Sequence, residues 1–252
     1  MSEKKQEIDG RFGRTRLLLG GEAMARLSGA RVIVFGAGGV GGYVIEALAR
    51  SGVGAIDVVD NDEVSLSNLN RQVIALETTI GRAKVDVAIE RVGEINPWCR
   101  CVGYKQFYLP ENADAIDLSA YDYVVDCIDT VKAKMELARR CVRLGVRHIC
   151  SMGAANKLDI TRLRIADFSA TTMDPLARIM RKKLRKEGIE HFKCAFSDEK
   201  PLEPDYSAVE SHELKGGRPA PASNAWLPAA MGLLIASEVV RDIAREGLQC
   251  ER

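Results

Sequence analysis

Six residues, Gly36-Ala37-Gly38-Gly39-Val40-Gly41, constrain the fold of this chain more than any others. They place a GxGxxG pattern directly after a run of β-branched residues and directly before a helical pattern. In that context the glycines let backbone N–H groups approach a phosphate, and the following helix adds partial positive charge at its N-terminus. The flanking sequence completes a βαβ unit. Residues 31–35 (RVIVF) read as a strand, 40–50 as a helix and 55–60 (AIDVVD) as a second strand. Apolar runs of this kind suit strands covered on both faces. Helical periodicity over 83–95 stops at Asn96-Pro97, where proline ends helices. Strands at 99–104, 121–127 and 147–152 follow, with a helix over about 131–144 before the last.

Beyond Gly153 the texture changes. Residues 158–168 alternate as antiparallel strands do, and Asp174-Pro175 opens a helix with an N-cap acceptor followed by the proline favoured at the first helical position. Residues 198–224 are rich in Pro and Gly and read as a long loop, and a last helix spans roughly 225–245. The expected class is therefore α/β: a Rossmann-type, doubly wound, mostly parallel sheet, extended by antiparallel strands and a C-terminal helix. The expected organisation is an N-terminal helical segment (1–30), a nucleotide-binding domain (31–153) and an extension of the same globular unit (154–252) for substrate binding and dimerisation. At 252 residues and 46% hydrophobic content the chain can bury one large core, which excludes a disordered or fibrous protein. Its 36 Lys and Arg nearly cancel its 35 Asp and Glu, so any nucleic-acid contact must come from a local patch. Seven cysteines, an odd number with no secretory leader before them, suit a reducing cytoplasm. The apolar run 225–236 is too short to span a bilayer, and no membrane contact is expected.

Asp60, closing the second strand, is placed to accept hydrogen bonds from a ribose hydroxyl. An ordinary dinucleotide-binding unit would return quickly to a helix. Here instead comes a polar loop, residues 61–72, that ends in Arg71-Gln72, with Lys84 at the start of the next helix. Two fixed cations beside a glycine-rich loop can neutralise a triphosphate, which favours ATP over a nicotinamide dinucleotide. Taken singly, Arg71 and Lys84 also look like solvated cations, and Asp126 or Asp129 like a helix cap. Their joint order along the chain favours the site.

The run D-N-D-E-V-S-L-S-N-L-N-R-Q (60–72), Lys84 and Val125-Asp126-Cys127-Ile128-Asp129 resemble the nucleotide site of the E1-like adenylating superfamily. The likeness runs from Arg11 to about Asp129. It implies Gly39 and Asp60 at the adenosine, Asn68, Arg71 and Lys84 at the phosphates, and Asp129 beside Mg2+ and the α-phosphate. Gly36, Gly38, Gly41, Asp62, Asn70, Gln72, Asp126 and Thr130 complete the expected nucleotide set. Arg71, Lys84 and Asp129 are the expected catalytic members, with Arg14 reaching the partner's ATP in a homodimer. A structural monovalent cation is a further expectation. Zinc is not, because no Cys-x-x-Cys pair occurs and Cys99-Arg100-Cys101 has the wrong spacing.

In the second half Ser151-Met152-Gly153-Ala154-Ala155-Asn156-Lys157, Asp174-Pro175-Leu176-Ala177, Phe196-Ser197-Asp198-Glu199-Lys200-Pro201 and Ser223-Asn224-Ala225-Trp226-Leu227-Pro228 resemble one branch, the tRNA threonylcarbamoyladenosine dehydratases. The resemblance implies adenylation of the threonine carboxylate of the modified adenosine beside the anticodon. Ring closure by the carbamoyl nitrogen then releases AMP, for a net loss of water. Asp126, Asp129 or Glu199 would supply a base. The competing reading is an activating enzyme for a sulfur-carrier or ubiquitin-like C-terminus. In that reading Cys194 is a thioester or persulfide carrier and a sulfur-transfer protein is a partner; otherwise Cys194 is a small buried residue. A nicotinamide dehydrogenase and a non-catalytic nucleotide sensor are the remaining classes. For tRNA, the candidates are Arg178, Arg181, Lys182, Lys183, Arg185 and Lys186, on one helix whose packed stripe is Leu176, Ile179, Met180 and Leu184. Such a face can track phosphates.

Overall fold

Alternation along β1 (Arg31–Phe35) sets the layering, because Val32 and Val34 enter one apolar cluster while Ile33 and Phe35 enter another on the opposite face. The computed structural model describes residues 10–207 and 221–245. Six further strands join β1: β2 (Ala55–Val59), β3 (Arg100–Tyr104), β4 (Tyr123–Asp126), β5 (His148–Ser151), β6 (Leu163–Asp167) and β7 (Lys193–Ser197). The sheet order is β3-β2-β1-β4-β5-β7-β6. Every pairing is parallel except β6 on β7, where Ile165 lies opposite Ala195. The helices are α1 (Gly13–Leu19), α2 (Gly21–Gly29), α3 (Gly41–Arg50), α4 (Lys84–Ile95), α5 (Val131–Leu144), α6 (Pro175–Leu184) and α7 (Leu227–Ala244). Leu27, Val44, Val85 and Met231 carry α2, α3, α4 and α7 onto the Val32 face. On the other side Leu137 of α5 packs under Ile33, and Met135 of α5 meets Met180 and Leu184 of α6. The strand order reverses between β1 and β4, and in a doubly wound sheet that is where a ligand crevice opens.

The doubly wound sheet and its antiparallel extension match the sequence reading, with differences in detail. The anticipated strand 158–168 is regular only over Leu163–Asp167, because Ile160–Arg162 close a 3-10 turn capped by the Asp159 carboxylate. Strand β7 has no counterpart in the sequence reading. The C-terminal helix begins two residues later than expected because Asn224 Oδ1 accepts the N–H groups of Trp226 and Leu227. The N-terminal segment breaks into two helices at Gly20, whose φ of +86° few other residues adopt. Residues 1–9, and residues 208–220 of the long loop with His212, lie outside the described residues. Among the described residues no helix is long and apolar enough to cross a membrane.

His148 opens β5 beside the Phe192 ring, 5.0 Å between centroids, and is 8% exposed. Burial pushes its imidazole down to about 4 from an ordinary 6.5. Between those values the unfolded chain binds a proton that the folded chain refuses. The contribution of His148 is therefore complete above pH 6.5 and is lost as the pH falls toward 4, by roughly 3 kcal/mol in all. His148→Gln should flatten this acid limb in urea titrations run between pH 7 and 4. Parallel pH dependences in the two proteins would refute the assignment.

Candidate active site

The loop after β1 is shaped by contacts that leave no room for a side chain. A Cβ on Gly41 would lie 1.7 Å from Gly36 O, and one on Gly36 (φ +91°) would lie 2.8 Å from Cys127 O. These two glycines let the loop turn sharply against the end of β4. Gly38 differs, since its Cβ would meet nothing closer than Gln72 Nε2 at 3.8 Å. Its backbone is open to a ligand at the N-terminus of α3, where unpaired N–H groups and the helix dipole favour an anion. Pro228 at the start of α7 closes over Gly39, where a Cβ would lie 3.3 Å from Pro228 Cβ, so the last helix walls the loop.

Asp60 pins this loop. Its Oδ2 accepts the Ala37 N–H at 2.7 Å and its Oδ1 accepts the Asp62 N–H at 2.8 Å. Each oxygen keeps a lone pair for a ribose hydroxyl. Residues 61–83 then bring the polar side chains to the crevice. Asn68 Oδ1 accepts the Ser65 N–H and closes a short 3-10 turn. The turn presents Arg71, half-buried, whose Nη1 donates to Ser67 O and to Asn70 Oδ1, both at 2.8 Å. Burial holds the Arg71 guanidinium below its ordinary pKa, yet it stays charged at neutral pH. A Cβ on Gly39 would stand 3.5 Å from Arg71 Cγ, so the arginine stem runs beside the glycine loop. Gln72 is 6% exposed and its Oε1 has no hydrogen-bond partner. An orphaned buried acceptor beside an open glycine backbone fits a site built to bind a further donor. Lys84, at the first position of α4, is buried and its Nζ donates to the exposed Asp62 Oδ2 at 2.8 Å. Its charge is thus held at the end of the same loop.

The two aspartates after β4 divide. Asp126 is 1% exposed. Its Oδ1 accepts the Lys134 Nζ at 2.9 Å and the Ile128 N–H at 3.1 Å, and its Oδ2 accepts the Cys150 thiol at 3.0 Å. Both of its oxygens are thus engaged within the chain, which leaves Asp126 less available to a nucleotide or as a base than Asp129. Lys134 is fully buried, and although burial lowers an ammonium's pKa, the adjacent Asp126 carboxylate raises it further than burial lowers it. Asp129 is exposed, with one oxygen 3.3 Å from the hydroxyl of Thr130, the N-cap residue of α5. Thr130 Oγ1 makes no cap bond.

The second half closes the far wall. Lys157 is 2% exposed and its Nζ donates to Gly153 O at 3.1 Å and, each at 3.3 Å, to Ser197 O and Asp174 Oδ2. Asp174 also accepts Gly153 N–H and, as the N-cap of α6, Ala177 N–H. These bonds fasten the loop after β5 to β7 and α6. Asn70 Nδ2 donates to Ser223 O, joining the loop after β2 to the segment before α7. Glu199, the third base candidate, accepts the N–H groups of Leu158 and Asp159 and is a loop staple. Cys194 is fully buried in β7 with its thiol pushed up to about 12 by burial, which suits packing and not a carrier. Burial likewise raises Cys99 to about 11 and Cys101 to about 12. Arg14 is exposed on α1 and has no hydrogen-bond or ion-pair partner among the described residues.

On α6 the packed stripe is Ala177, Met180 and Leu184, with Leu176 partly buried against it as expected, and Ile179 is 45% exposed against expectation. Arg181 turns inward and donates to Thr171 O at 2.7 Å and to the Thr171 hydroxyl. Arg178, Lys182 and Lys183 face outward, and so do Arg185 and Lys186 on the 3-10 turn that follows the helix. Among the described residues no three His, Cys, Asp or Glu side chains converge as a metal cluster.

A doubly wound sheet with a glycine loop, an orphaned acceptor and two held cations at its switch point defines a nucleotide-binding α/β protein. The model of the ThiF family matches residues 12–250, and the chain belongs to the ThiF family. It is 42% identical over 241 residues to the tRNA threonylcarbamoyladenosine dehydratase of Bacillus subtilis (strain 168), covering 93% of this chain and 95% of that one. Among solved structures it is similar to Escherichia coli tRNA N6-threonylcarbamoyladenosine dehydratase in complex with AMP. The TM-score is 0.84 at 32% identity, covering 93% of this chain and 94% of that one. The complex of the same enzyme with ATP gives 0.83 at 32% identity, with 95% and 97% covered.

Proposed function

We propose that this chain is an ATP-dependent tRNA threonylcarbamoyladenosine dehydratase. The observation that carries the reading is the open backbone at Gly38 beside the unpartnered Gln72 Oε1, with Arg71 and Lys84 held at the same loop, in a chain similar over nearly its whole length to enzymes of that name. The threonine carboxylate attacks the α-phosphorus of ATP, pyrophosphate leaves, and an acyl-adenylate forms. The carbamoyl nitrogen then attacks the acyl carbon, closes the ring and expels AMP. Arg71 and Lys84 neutralise charge on the departing pyrophosphate, and the wall formed by residues 153–157 and 223–228 positions the acyl group. Asp129 fits a Mg2+ ligand, being exposed with one oxygen free of protein partners. The ion, when bound, adds charge stabilisation at the phosphates. With Asp126 and Glu199 committed elsewhere, Asp129 is also the remaining carboxylate to take the carbamoyl proton. The structural monovalent cation rests on the resemblance alone, and no step is assigned to it. In a homodimer the exposed Arg14 completes the partner's site. The outward cations of α6 hold the tRNA. Cys194, the residue a sulfur-transfer partner would use, is buried, which favours this reading over the sulfur-carrier one.

Incubation with ATP and tRNA carrying threonylcarbamoyladenosine, followed by digestion and mass spectrometry, should yield a nucleoside lighter by one water. An unchanged nucleoside together with adenylation of a sulfur-carrier C-terminus would transfer the activity to that class.

A further inference from the structure

The α6 cations do not form one face. Arg178 and Lys182 stand away from α5, whereas Lys183, and Lys186 on the 3-10 turn that follows the helix, line the side that faces α5. Between α5 and that side lies a cleft of about 380 Å³ lined by Pro110, Lys132, Met135, Arg139, Lys183, Lys186 and Glu187. Its charges are unequal. Glu187, the acid of the lining, is taken bidentately by Arg139, with Nε–Oε2 at 2.6 Å and Nη2–Oε1 at 2.7 Å. That pair ties the turn after α6 to α5. Lys132, Lys183 and Lys186 are exposed and have no ion-pair partner among the described residues. Four cations against one carboxylate leave the lining with a net charge of +3. Lys132 is the second residue of α5, two positions after its N-cap Thr130 and three after Asp129, so one residue of the cleft lining is a close chain neighbour of Asp129. The apolar members of the lining are Pro110, which is exposed, and the buried Met135.

We propose that this cleft binds the phosphodiester backbone of the RNA substrate, with Lys132, Lys183 and Lys186 as the contacts that seat the strand next to the reacting base. The Arg178–Lys182–Arg185 flank is subordinate. The proposal rests on the reading of the chain as an RNA-modifying enzyme. Concave placement of three unpaired ammonium groups matches consecutive phosphates along a bent strand better than the convex outer flank does. Each phosphate contact releases counterions and steepens the salt dependence by about 0.7–0.9 in log K against log salt.

The test compares two charge reversals in the full chain, Lys132→Glu/Lys183→Glu/Lys186→Glu in the cleft and Arg178→Glu/Lys182→Glu/Arg185→Glu on the outer flank. Affinity for a tRNA transcript is measured from low to moderate salt, with melting curves to confirm the fold. An unmodified transcript reads the cleft independently of the chemistry, and turnover of threonylcarbamoyladenosine by the wild-type protein separately reads the functional assignment. The cleft variant should lose tRNA affinity by about a hundredfold at low salt and have a salt slope reduced by about 2, with the flank variant weakened less than about fivefold. Equal losses in the two variants, or a loss confined to the flank variant, would overturn the proposal. So would retained RNA affinity with a raised KM for ATP in the cleft variant, because the cleft would then serve free polyphosphate. An alanine triple at the cleft positions guards against repulsion by the new carboxylates, and must show the same order of effects.

Discussion

Lys84→Ala and Arg71→Ala should each lower the rate of acyl-adenylate formation by two to three decades, about 2.7–4 kcal/mol of transition-state stabilisation. Both side chains are already organised: Lys84 is buried against Asp62 Oδ2 at 2.8 Å, and Arg71 is held by Ser67 O and Asn70 Oδ1. Preorganised charges spend little on reorganisation as negative charge builds on the leaving pyrophosphate, so their removal is felt in kcat more than in ATP binding. Global stability should change little, since the Asp62 partner is 58% exposed and water replaces the ammonium. ATP–pyrophosphate exchange with threonylcarbamoyladenosine tRNA measures the effect directly, and near-wild-type turnover in both variants would sink the phosphate assignment. The same variants examine Arg14. A mixture of Arg14→Ala and Lys84→Ala subunits should recover part of the activity, because one hybrid crevice then has both cations. Failure to recover after proven subunit exchange would place Arg14 outside the site.

Much of this crevice is legible in the sequence because backbone geometry, rather than distant packing, demands it. Gly36 and Gly41 collide with main-chain oxygens if anything is added, and a motif reports such constraints without knowledge of the rest of the fold. Strands β1, β2 and β4 were equally plain, since buried parallel strands must be apolar on both faces. Strand β7 was not. Lys193-Cys194-Ala195-Phe196-Ser197 is five residues long with a cation at one end and a hydroxyl at the other, and it depends on β5 and β6 for its partners. The sequence leaves Asp126, Asp129 and Glu199 all open as bases for a related reason. A carboxylate beside a nucleotide motif looks catalytic until the groups that occupy it, Lys134 for Asp126 and two N–H groups for Glu199, are brought near by tertiary packing. Lys157 and Asp174 are 17 positions apart, and no local pattern announces their pairing. Ile179 was misplaced on α6 because the helix buries a stripe narrowed by Ala177.

Lys134 did leave a signal, and it leads to the second large effect. Lys134, Leu137, Ala138 and Cys141 stand at i, i+3, i+4 and i+7, so the lysine occupies the apolar stripe of α5, eight residues after Asp126. A cation in that position needs a buried anion. Lys134→Met should therefore destabilise the protein by about 3–5 kcal/mol, because the Asp126 carboxylate is left uncompensated in the core. Replacing the pair together, Asp126→Leu with Lys134→Met, should restore most of the stability, since two apolar side chains carry no desolvation cost. Function should not return with it. Asp126 Oδ1 also accepts the Ile128 N–H, and that bond orders the loop on which Asp129 and Thr130 stand. The double variant should melt near the wild-type temperature yet bind ATP more weakly and turn over more slowly. Denaturant titrations of the two variants, read beside their ATP affinities, separate the two roles. A Lys134→Met protein as stable as wild type would show that the pair contributes nothing. A double variant with full ATP affinity would show that the loop is ordered without Asp126.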